Sequence, residues 1–326
     1  MGRCYVEMVS EPRIGVVFPG QGSQSVGMGT DIAAESSQAA DLFEAASAIL
    51  GYDLLELQRN GPETKLRETQ FSQPAIFTTN CALRAAVGKL LRPVVSAGHS
   101  FGEFCSLTIS NALSFESALR IVNERGAAMQ EAAQSVQGGM SAIIGLEEQC
   151  IRATSERIAA QTGLCVQLAN FNSPSQIVVS GHLCAVQSAG EALLEAGAKR
   201  VVPLNVSGAW HSALMQPAVA RFQAAIDVAE FKMPDFAVIS NVDAQPYEDT
   251  AAMKVNLVRS ITQEVLWHAT SRRMLDYSLD LVVEFGANPV LAPLLKRFPD
   301  APAVMNVTDA RGVQKLQQRI GELAAA

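Results

Sequence analysis

The sequence predicts an α/β protein in which a large domain with a parallel sheet contains a smaller inserted domain. Two observations indicate this fold class. At both ends of the chain, short apolar segments alternate with longer helical segments, whereas the middle has a different order of strands and helices. In addition, a glycine-flanked turn with a serine at its centre directly follows one apolar segment, as it does in parallel sheets whose strands lead into helices.

The first predicted elements are one strand and two helices. The strand extends from Arg13 to Phe18. A helix is predicted from Asp31 to Leu50, with Thr30 as its N-cap and Gly51 as the residue that stops it. A second helix, from Gln73 to Leu91, leads into the part of the chain that carries the clearest functional signal.

That signal is the pentapeptide from Gly98 to Gly102, which matches the G-x-S-x-G pattern of a nucleophile elbow, with Ser100 at its centre. Pro93 to Ala97 before it predicts a buried strand, and Glu103 to Leu113 after it predicts a helix. Strand, sharp turn and helix together lift a serine hydroxyl out of a sheet edge and direct backbone N–H groups toward it. An isolated match is weak evidence, but these neighbours favour a nucleophilic serine in an α/β-hydrolase-like large domain.

The next helix carries a charge on its apolar face. Helical periodicity extends from Phe115 to Ala133, and the apolar face contains Ala118, Ile121, Val122 and Met129. Arg125 lies in the middle of that face, where an unpartnered charge would be very costly. An internal ion pair or a side chain that reaches back to solvent would explain it. A guanidinium that binds a substrate carboxylate would also explain it.

The middle of the chain predicts the order β-α-β-β-α-β, which is the ferredoxin-like order. The predicted elements are Met140–Leu146, Glu148–Ala160, Leu164–Ala169, Gln176–Ser180, Leu183–Ala196 and Arg200–Leu204. We therefore expect a small domain at residues 137–205, inserted into a large domain of residues 1–136 and 206–326. Phe236 to Ser240 and Leu281 to Glu284 predict further strands of the large domain.

A serine nucleophile needs a base, and the chain has four histidines. His99 adjoins the serine, so its ring should point elsewhere, while His182 and His268 are read as helix residues. His211 lies in a loop of small residues after an apolar strand, where catalytic groups gather in open α/β sheets. It is therefore the candidate base, and a histidine that caps the following helix is the alternative.

The third member of a catalytic triad is missing from the sequence. Enzymes with this elbow place an acidic residue between the serine and the histidine, but no aspartate lies between Ser100 and His211, and the glutamates there mostly lie on polar helix faces. This favours a serine–histidine pair whose imidazole is oriented by a neutral acceptor such as a backbone carbonyl.

Six short motifs occur in an order that is highly specific in combination. In chain order they are FPGQGSQ at 18–24, GHSFGE at 98–103, the helix with Arg125-Gly126 and Met129-Gln130, NFNSP at 170–174, VSGAWHS at 206–212 and EFG at 284–286. With them the chain resembles the malonyl-CoA:acyl carrier protein transacylases over almost its whole length. The active site would then lie in the cleft between the two domains. The large domain would supply Ser100 from the chain before the insert and His211 from the chain after it.

The resemblance implies roles for particular residues. Ser100 would be the nucleophile, His211 the base, and Arg125 the ligand of the malonyl carboxylate. The backbone N–H groups of Gln21 and Phe101 would form the oxyanion hole. Gln73 and Trp210 would line the substrate site, where Trp210 would crowd the malonyl Cα and disfavour a methyl branch.

The chain departs from the resembled pattern near the histidine. Some family members carry a glutamine at the position that corresponds to Ser260 here. If that residue offers only its backbone carbonyl to His211, the change of side chain has no effect on the site. If the side chain itself is needed, the orientation of His211 is altered.

The resemblance implies ping-pong transfer of malonyl from malonyl-CoA to the phosphopantetheine thiol of an acyl carrier protein, through a malonyl-serine intermediate and without a metal or redox cofactor. The alternatives are a stand-alone polyketide acyltransferase with a different acyl donor and an acyl hydrolase, which would not need Arg125. A non-catalytic carrier-binding module would not need Ser100 together with His211.

An acyl carrier protein is typically acidic, so docking calls for a local positive patch on this chain of net charge −7. We expect Lys199, Arg200, Lys296 and Arg297 to border the cleft and receive the carrier, with ordinary surface charge as the alternative. The same net charge leaves no overall basic footprint for nucleic acid.

Composition bounds the class of protein. With 326 residues and 48% hydrophobic residues, the chain can bury a large core, and no apolar run is long enough to span a bilayer. The first residues lack the apolar core of a signal peptide. Six cysteines, from Cys4 to Cys184, have no metal-like spacing. We expect a cytoplasmic monomer with reduced cysteines.

Overall fold

The computed structural model describes residues 11–325, so Cys4 lies outside the described residues. Within that range the chain forms nine strands. They are β1 (Ile14–Phe18), β2 (Pro93–Gly98), β3 (Gly138–Ile144), β4 (Val166–Ser173), β5 (Gln176–His182), β6 (Arg200–Pro203), β7 (Ala237–Ile239), β8 (Leu281–Phe285) and β9 (Ala303–Val307). These strands divide between two separate sheets.

Fourteen α-helices surround the sheets in the described part of the chain. They are α1 (Thr30–Glu35), α2 (Ser37–Leu50), α3 (Leu54–Asn60), α4 (Glu63–Arg67), α5 (Thr69–Val87), α6 (Gly102–Ile109), α7 (Phe115–Gln134), α8 (Glu148–Thr162), α9 (Leu183–Glu195), α10 (Gln216–Val228), α11 (Thr250–Arg259), α12 (Trp267–Leu275), α13 (Ala292–Leu295) and α14 (Ala310–Ala324). Two short 3-10 turns lie at Gly88–Leu90 and Ala213–Met215. None of the helices within residues 11–325 has both the length and the apolar character needed to cross a membrane.

The large sheet is parallel, with strand order β7-β2-β1-β8-β9. Strand β1 lies at its centre, and all five of its residues are buried. Because β1 and β2 run in the same direction with Phe18 opposite Gly98, their carboxyl ends lie side by side. The loops that leave these two ends carry Gln21 and Ser100, which explains how segments about 80 residues apart in sequence meet at one site.

The small sheet is antiparallel, with strand order β4-β5-β3-β6, and α8 and α9 accompany it in the predicted β-α-β-β-α-β order. Successive residues of a strand point to opposite faces. Accordingly Ile143 and Val179 pack into a core of the small sheet and its helices, whereas Ala142 and Val178 belong to the core shared with the large domain. The predicted fold class is confirmed, and the strands of this sheet lie within the predicted insert of 137–205.

Two predictions about the first helix need correction. The helix expected from Asp31 to Leu50 is two helices, because Ser36 is extended (φ −130°, ψ 117°) and its side chain accepts a hydrogen bond from the amide of Ala39 at 3.3 Å, so that it caps α2. Thr30 is the first helical residue rather than the N-cap, which is Gly29. Gly51 does end α2, with φ 76°.

The next helix also differs from its predicted range. It begins at Thr69 rather than Gln73, and it ends at Val87 rather than Leu91. Gly88 has φ 73°, a left-handed conformation that a helix cannot contain, so the chain leaves α5 there through a 3-10 turn. The earlier start places Gln73 one turn inside the helix, facing α7.

Candidate active site

The turn between β2 and α6 is the nucleophile elbow predicted from the sequence. Ser100 has φ 55°, which a residue with a side chain adopts only under local strain. A Cβ at Gly98 would lie 1.9 Å from the carbonyl carbon of Gly102, and one at Gly102 would lie 2.5 Å from the carbonyl oxygen of Phe18. Both glycines are therefore required, because the backbone of α6 passes directly over the ends of β1 and β2.

Ser100 and His211 lie in hydrogen-bonding contact, with 2.8 Å between the serine Oγ and the histidine Nε2. The other ring nitrogen, Nδ1, lies 2.7 Å from the backbone carbonyl oxygen of Ser260. A carbonyl only accepts, so Nδ1 carries the proton, and in a neutral imidazole Nε2 then accepts the proton of the serine hydroxyl. The pair is thus set for proton transfer from Ser100 to His211.

The carbonyl of Ser260 orients the imidazole without help from its side chain. The Ser260 hydroxyl donates instead to the carbonyl of Leu257 at 2.6 Å. The departure noted at this position therefore leaves the hydrogen bond to His211 intact. A neutral acceptor takes the place of a triad carboxylate, as the absence of an aspartate predicts.

His211 is 4% exposed, and burial is the main cause that lowers its pKa to about 3. The positive charge of Arg125 and the nearby ring of His99 lower it further, while backbone hydrogen bonds act in the opposite direction. The alternative interpretation as a capping histidine is wrong, because Ser212 is the residue that caps the following turn. The imidazole of His211 is therefore uncharged at neutral pH.

Arg125 reaches from α7 into the same site and is 1% exposed. Its Nη1 donates to Oε1 of Gln73 at 2.9 Å and its Nη2 to Oγ of Ser100 at 3.2 Å. None of the ion pairs formed within residues 11–325 includes Arg125, and its buried Nε has no partner there. The ion-pair and solvent-reaching interpretations are therefore both wrong.

Burial lowers the pKa of Arg125 to about 10, which still leaves the guanidinium charged at neutral pH, and the charge of Glu103 raises it. Gln73 lies behind Arg125 rather than on the cavity wall. Its Nε2 donates to Thr69 at 2.8 Å, which leaves Oε1 facing the guanidinium. Gln73 therefore holds Arg125 in place instead of lining the site as expected.

A cavity of about 380 Å³ opens beside Ser100, between the two sheets. From the large domain it is lined by Gly20, Gln21, His99, Ser100, Phe101, Arg125, Met129, Trp210, His211, Leu291, Pro293 and Arg297, among others. From the small domain it is lined by Met140, Asn170, Asn172, Gln176 and Val178. The site thus lies in the cleft between the domains, as the positions of Ser100 and His211 around the insert predict.

The geometry at the elbow leaves two backbone amides without a protein acceptor. Within residues 11–325, neither the amide of Gln21 nor that of Phe101 donates to another protein group, and both residues line the cavity. The amide of Ser100 itself is engaged, since it donates to Oδ1 of Asn241 at 3.0 Å. Two free N–H groups near a serine hydroxyl suit the negative oxygen of a tetrahedral intermediate.

The other three histidines have structural partners. Nε2 of His99 lies 3.1 Å from Oδ1 of Asn172, and burial lowers its pKa. His182 precedes α9 and its Nδ1 accepts from the amide of Cys165 at 3.0 Å. His268 stacks on Phe298 with 4.9 Å between ring centres. His211 is therefore the histidine that contacts Ser100.

The four expected docking cations differ in whether they line the cavity. Arg297 lines the cavity and donates to Oγ of Ser173 at 3.1 Å. Lys296 precedes it at the end of α13 and is exposed. Lys199 and Arg200 are exposed at the outer strand of the small sheet and do not line the cavity. The structure therefore brings Arg297 alone to the cavity wall.

Sequence reasoning missed Asn241, which contacts the elbow from outside the cavity. It is fully buried and follows strand β7, which pairs with β2 in the large sheet. The signal that could have found it is its position, because polar residues just beyond the carboxyl ends of parallel strands gather at the site edge.

Comparison with known proteins agrees with this geometry. Residues 16–323 match the family model described as the acyl transferase domain. The chain is 41% identical to the malonyl CoA-acyl carrier protein transacylase of Salmonella typhimurium over 288 residues, which cover 87% of this chain and 92% of that protein. The enzyme of the same name from Escherichia coli K12 is 40% identical over the same coverage.

Solved structures agree in fold as well as in sequence. The malonyl CoA-acyl carrier protein transacylase of Coxiella burnetii superposes with a TM-score of 0.90 at 35% identity, covering 95% of this chain and 98% of that one. A malonyl-transacylase in complex with a type II polyketide acyl-carrier protein also gives 0.90, at 36% identity and with 94% and 99% coverage.

A serine–histidine pair at a strand–turn–helix elbow, beside free amide donors, agrees with the class that the family model shows, which is an acyltransferase. The chain belongs to the acyl transferase family, and within it to the group of the malonyl CoA-acyl carrier protein transacylases. The resemblance inferred from the six motifs is thereby confirmed.

The lowered pKa of His211 predicts how stability depends on pH. Its value is about 3 in the folded protein against an ordinary 6.5, so the unfolded chain binds the proton more tightly. Its contribution is therefore present above about pH 6.5 and is lost as the pH falls toward 3. Urea unfolding at about pH 7 and about pH 5 should show a smaller loss of stability for His211→Ala than for the wild type. Ser100→Ala, which removes no titrating group, should lose as much as the wild type; equal losses in all three proteins would contradict the prediction.

Proposed function

We propose that this protein transfers a malonyl group from malonyl-CoA to the phosphopantetheine thiol of an acyl carrier protein, through a malonyl ester on Ser100. The observation that carries the proposal is the combination of a serine–histidine pair with a buried guanidinium in one cavity. The pair performs acyl transfer, and the guanidinium selects an acyl group that ends in a carboxylate. The names of the relatives, malonyl CoA-acyl carrier protein transacylases, support the same substrates.

In the first half-reaction, Oγ of Ser100 attacks the thioester carbon while its proton moves to Nε2 of His211. The carbonyl oxygen becomes negative and receives hydrogen bonds from the amides of Gln21 and Phe101. Collapse of the tetrahedral intermediate breaks the carbon–sulfur bond, and the CoA sulfur leaves with the proton from His211. Malonyl is then joined to Ser100 as an ester.

In the second half-reaction, the carrier's thiol gives its proton to Nε2 of His211 and its sulfur attacks the ester carbon. The same amides stabilise the intermediate, which collapses with return of the proton to Oγ of Ser100. Each step uses side chains and backbone groups of the site, and none calls for a metal or a redox cofactor.

The guanidinium of Arg125 distinguishes this proposal from an acyl hydrolase. In the free site, Nη2 donates to Oγ of Ser100 at 3.2 Å, so Arg125 lies next to the acyl carbon of an acylated serine. A malonyl carboxylate lies two carbons beyond that carbon and can reach the guanidinium. A hydrolase for uncharged acyl chains would gain nothing from a buried charge at this position.

Trp210 supports malonyl over branched donors. It is 5% exposed, lines the cavity and precedes His211. A bulky ring at this place leaves little room for a methyl group on the malonyl Cα. One methyl is worth about 1–3 kcal/mol, so the preference over methylmalonyl-CoA should be partial. A stand-alone polyketide acyltransferase that uses malonyl-CoA fits the same cavity, and one of the structural relatives works with a polyketide carrier.

Covalent labelling tests the proposed function directly. Incubation with radioactive malonyl-CoA should produce a burst of one malonyl group per chain, and added carrier protein with its phosphopantetheine arm should then remove the label as malonyl-carrier. Ser100→Ala should take up no label. Label released to water rather than to the carrier would indicate a hydrolase, and carrier binding without labelling of the wild type would indicate a binding module.

The role of Arg125 predicts selective loss. Arg125→Ala should lower kcat/KM for malonyl transfer. The loss of transition-state stabilisation should be about 2–5 kcal/mol, which is the cost of leaving a desolvated carboxylate without its partner. Transfer of acetyl from acetyl-CoA, which has no carboxylate, should fall much less. Arg84→Ala is a control, because Arg84 is a partly buried arginine at the opposite end of α5 from Gln73, where it donates to the carbonyls of Gly88 and Leu91. Equal loss for both donors in Arg125→Ala would make Arg125 structural.

Carrier docking can be tested apart from the chemistry. Lys199 and Arg200 do not line the cavity, so their reversal to glutamate should leave malonylation of Ser100 unchanged. The same double change should raise KM for the carrier, most strongly at low ionic strength. Reversal of Arg311 and Lys315, on helix α14 away from the cavity, is the control. An unchanged carrier KM at low ionic strength would show that the docking surface is elsewhere.

A further inference from the structure

A buried polar cluster lies directly behind the nucleophile elbow, on the side away from the cavity. It consists of Glu103, Asn241 and Tyr247, which are 1%, 0% and 8% exposed. None of the three lines the cavity, so none can touch the substrate. Their side chains nevertheless form a continuous chain of hydrogen bonds that ends on the backbone of Ser100.

Asn241 makes the contact with the elbow through both ends of its amide. Its Oδ1 accepts from the amide of Ser100 at 3.0 Å, and its Nδ2 donates to the carbonyl of Gly98 at 2.8 Å. A backbone N–H only donates and a carbonyl only accepts, so the orientation of the side-chain amide is determined. Asn241 thereby holds the residues on either side of His99 in one arrangement.

Glu103 fixes the amide of Asn241 in that orientation. One carboxylate oxygen accepts from Nδ2 of Asn241, and the other accepts from the hydroxyl of Tyr247. Burial raises the pKa of Glu103 to about 7, and the two donors oppose that rise by favouring the ionised form. Glu103 thus adds a second acceptor to the carbonyl of Gly98, and the two acceptors together keep Nδ2 of Asn241 turned away from the amide of Ser100.

Glu103 has no direct part in the proton relay. Nδ1 of His211 is engaged by the carbonyl of Ser260, so Glu103 is not the third member of a triad. Its charge raises the pKa of Arg125, and its hydrogen bonds reach the site through the elbow backbone. That backbone matters because Ser100 is strained at φ 55°, and the next amide, that of Phe101, is the free donor proposed for the oxyanion.

We propose that Asn241, held by Glu103 and Tyr247, is a positioning residue that locks the strained elbow so that the Ser100 hydroxyl and the Phe101 amide face the reacting carbonyl together. This inference rests on the proposed acyl transfer at Ser100. Engaging the Ser100 amide leaves the Phe101 amide as the donor available to the substrate on this side of the site. The cluster thus acts on the rate of acylation and not on the binding of the acyl donor.

The test compares Asn241→Ala with Asn256→Ala as a matched control. Asn256 is also buried, and it contacts the residues on either side of Asn241. Its Nδ2 donates to Oγ of Ser240 at 3.3 Å and to Oδ2 of Asp243 at 2.7 Å, but it does not contact the elbow. Asn241→Ala should lower kcat for acylation about 100-fold with little change in KM for malonyl-CoA, because the reacting groups are displaced while the cavity walls remain. Asn256→Ala should lower the melting temperature with a near-normal kcat.

A second pair of variants inverts the polarity of the cluster. Asn241→Asp keeps an acceptor for the Ser100 amide but places a carboxylate against Glu103, and should be as poor as Asn241→Ala. Adding Glu103→Gln to Asn241→Asp again gives the pair one amide donor and one carboxylate, with their positions exchanged. The kcat of this double variant should be at least about ten-fold higher than that of Asn241→Asp. The bond to the carbonyl of Gly98 is not restored, so recovery is incomplete.

Reaction of Ser100 with phenylmethanesulfonyl fluoride, followed by intact mass, separates this inference from the proposed function. The modification rate should follow the same order as kcat, whatever acyl donor the protein uses. If Asn241→Ala reacts as fast as Asn256→Ala, or if the double variant is no faster than Asn241→Asp, the inference is overturned. A wild type that reacts with the reagent but transfers no malonyl would count against the proposed function alone.

Discussion

The close approach of α6 to the ends of β1 and β2 is the constraint on which the rest of the site depends. With a Cβ at Gly98 only 1.9 Å from the next helix backbone, no other residue fits there, and the chain can turn from strand to helix only through a strained Ser100. That strain lifts the hydroxyl away from the sheet and leaves the Phe101 amide free. The site is therefore a consequence of backbone packing before any side-chain chemistry is considered.

Two ionisable side chains, those of His211 and Arg125, then have to be accommodated in a buried site. His211 is neutral, because burial lowers its pKa to about 3. The carbonyl of Ser260 accepts from Nδ1 and so fixes the tautomer in which Nε2 can accept a proton. Arg125 remains charged, and in the described structure it has hydrogen bonds to Gln73 and Ser100 but no ion pair. Charge left without a counterion in a cavity favours an anionic ligand, because the ligand supplies the partner that folding does not.

The small domain forms one wall of the cleft because the side chains of a β-strand alternate between the two faces of its sheet. Alternate side chains of β3 and β5 point to opposite faces, so Ile143 and Val179 build the domain's own core while Ala142 and Val178 pack toward the large domain. One face of the small sheet thus packs against α8 and α9, and the opposite face packs toward the large domain and the site. This arrangement brings Met140 and Asn170 to the cavity opposite Ser100.

The sequence by itself determined the fold class, the elbow, the candidate base and the arginine, because these depend on local pattern: strand before glycine, helix after it, and one charge on an apolar helix face. It did not determine the break at Ser36, where a cap competes with a continuous helix pattern, or the place of Gln73 behind Arg125. Only the tertiary structure decided that the carbonyl of Ser260 orients His211 and that Asn241 accepts a hydrogen bond from the elbow amide of Ser100. The first contact joins residues 49 apart in sequence, and the second joins residues 141 apart. Local sequence preference does not specify which backbone carbonyl or side-chain amide will meet a given partner once the sheet has formed.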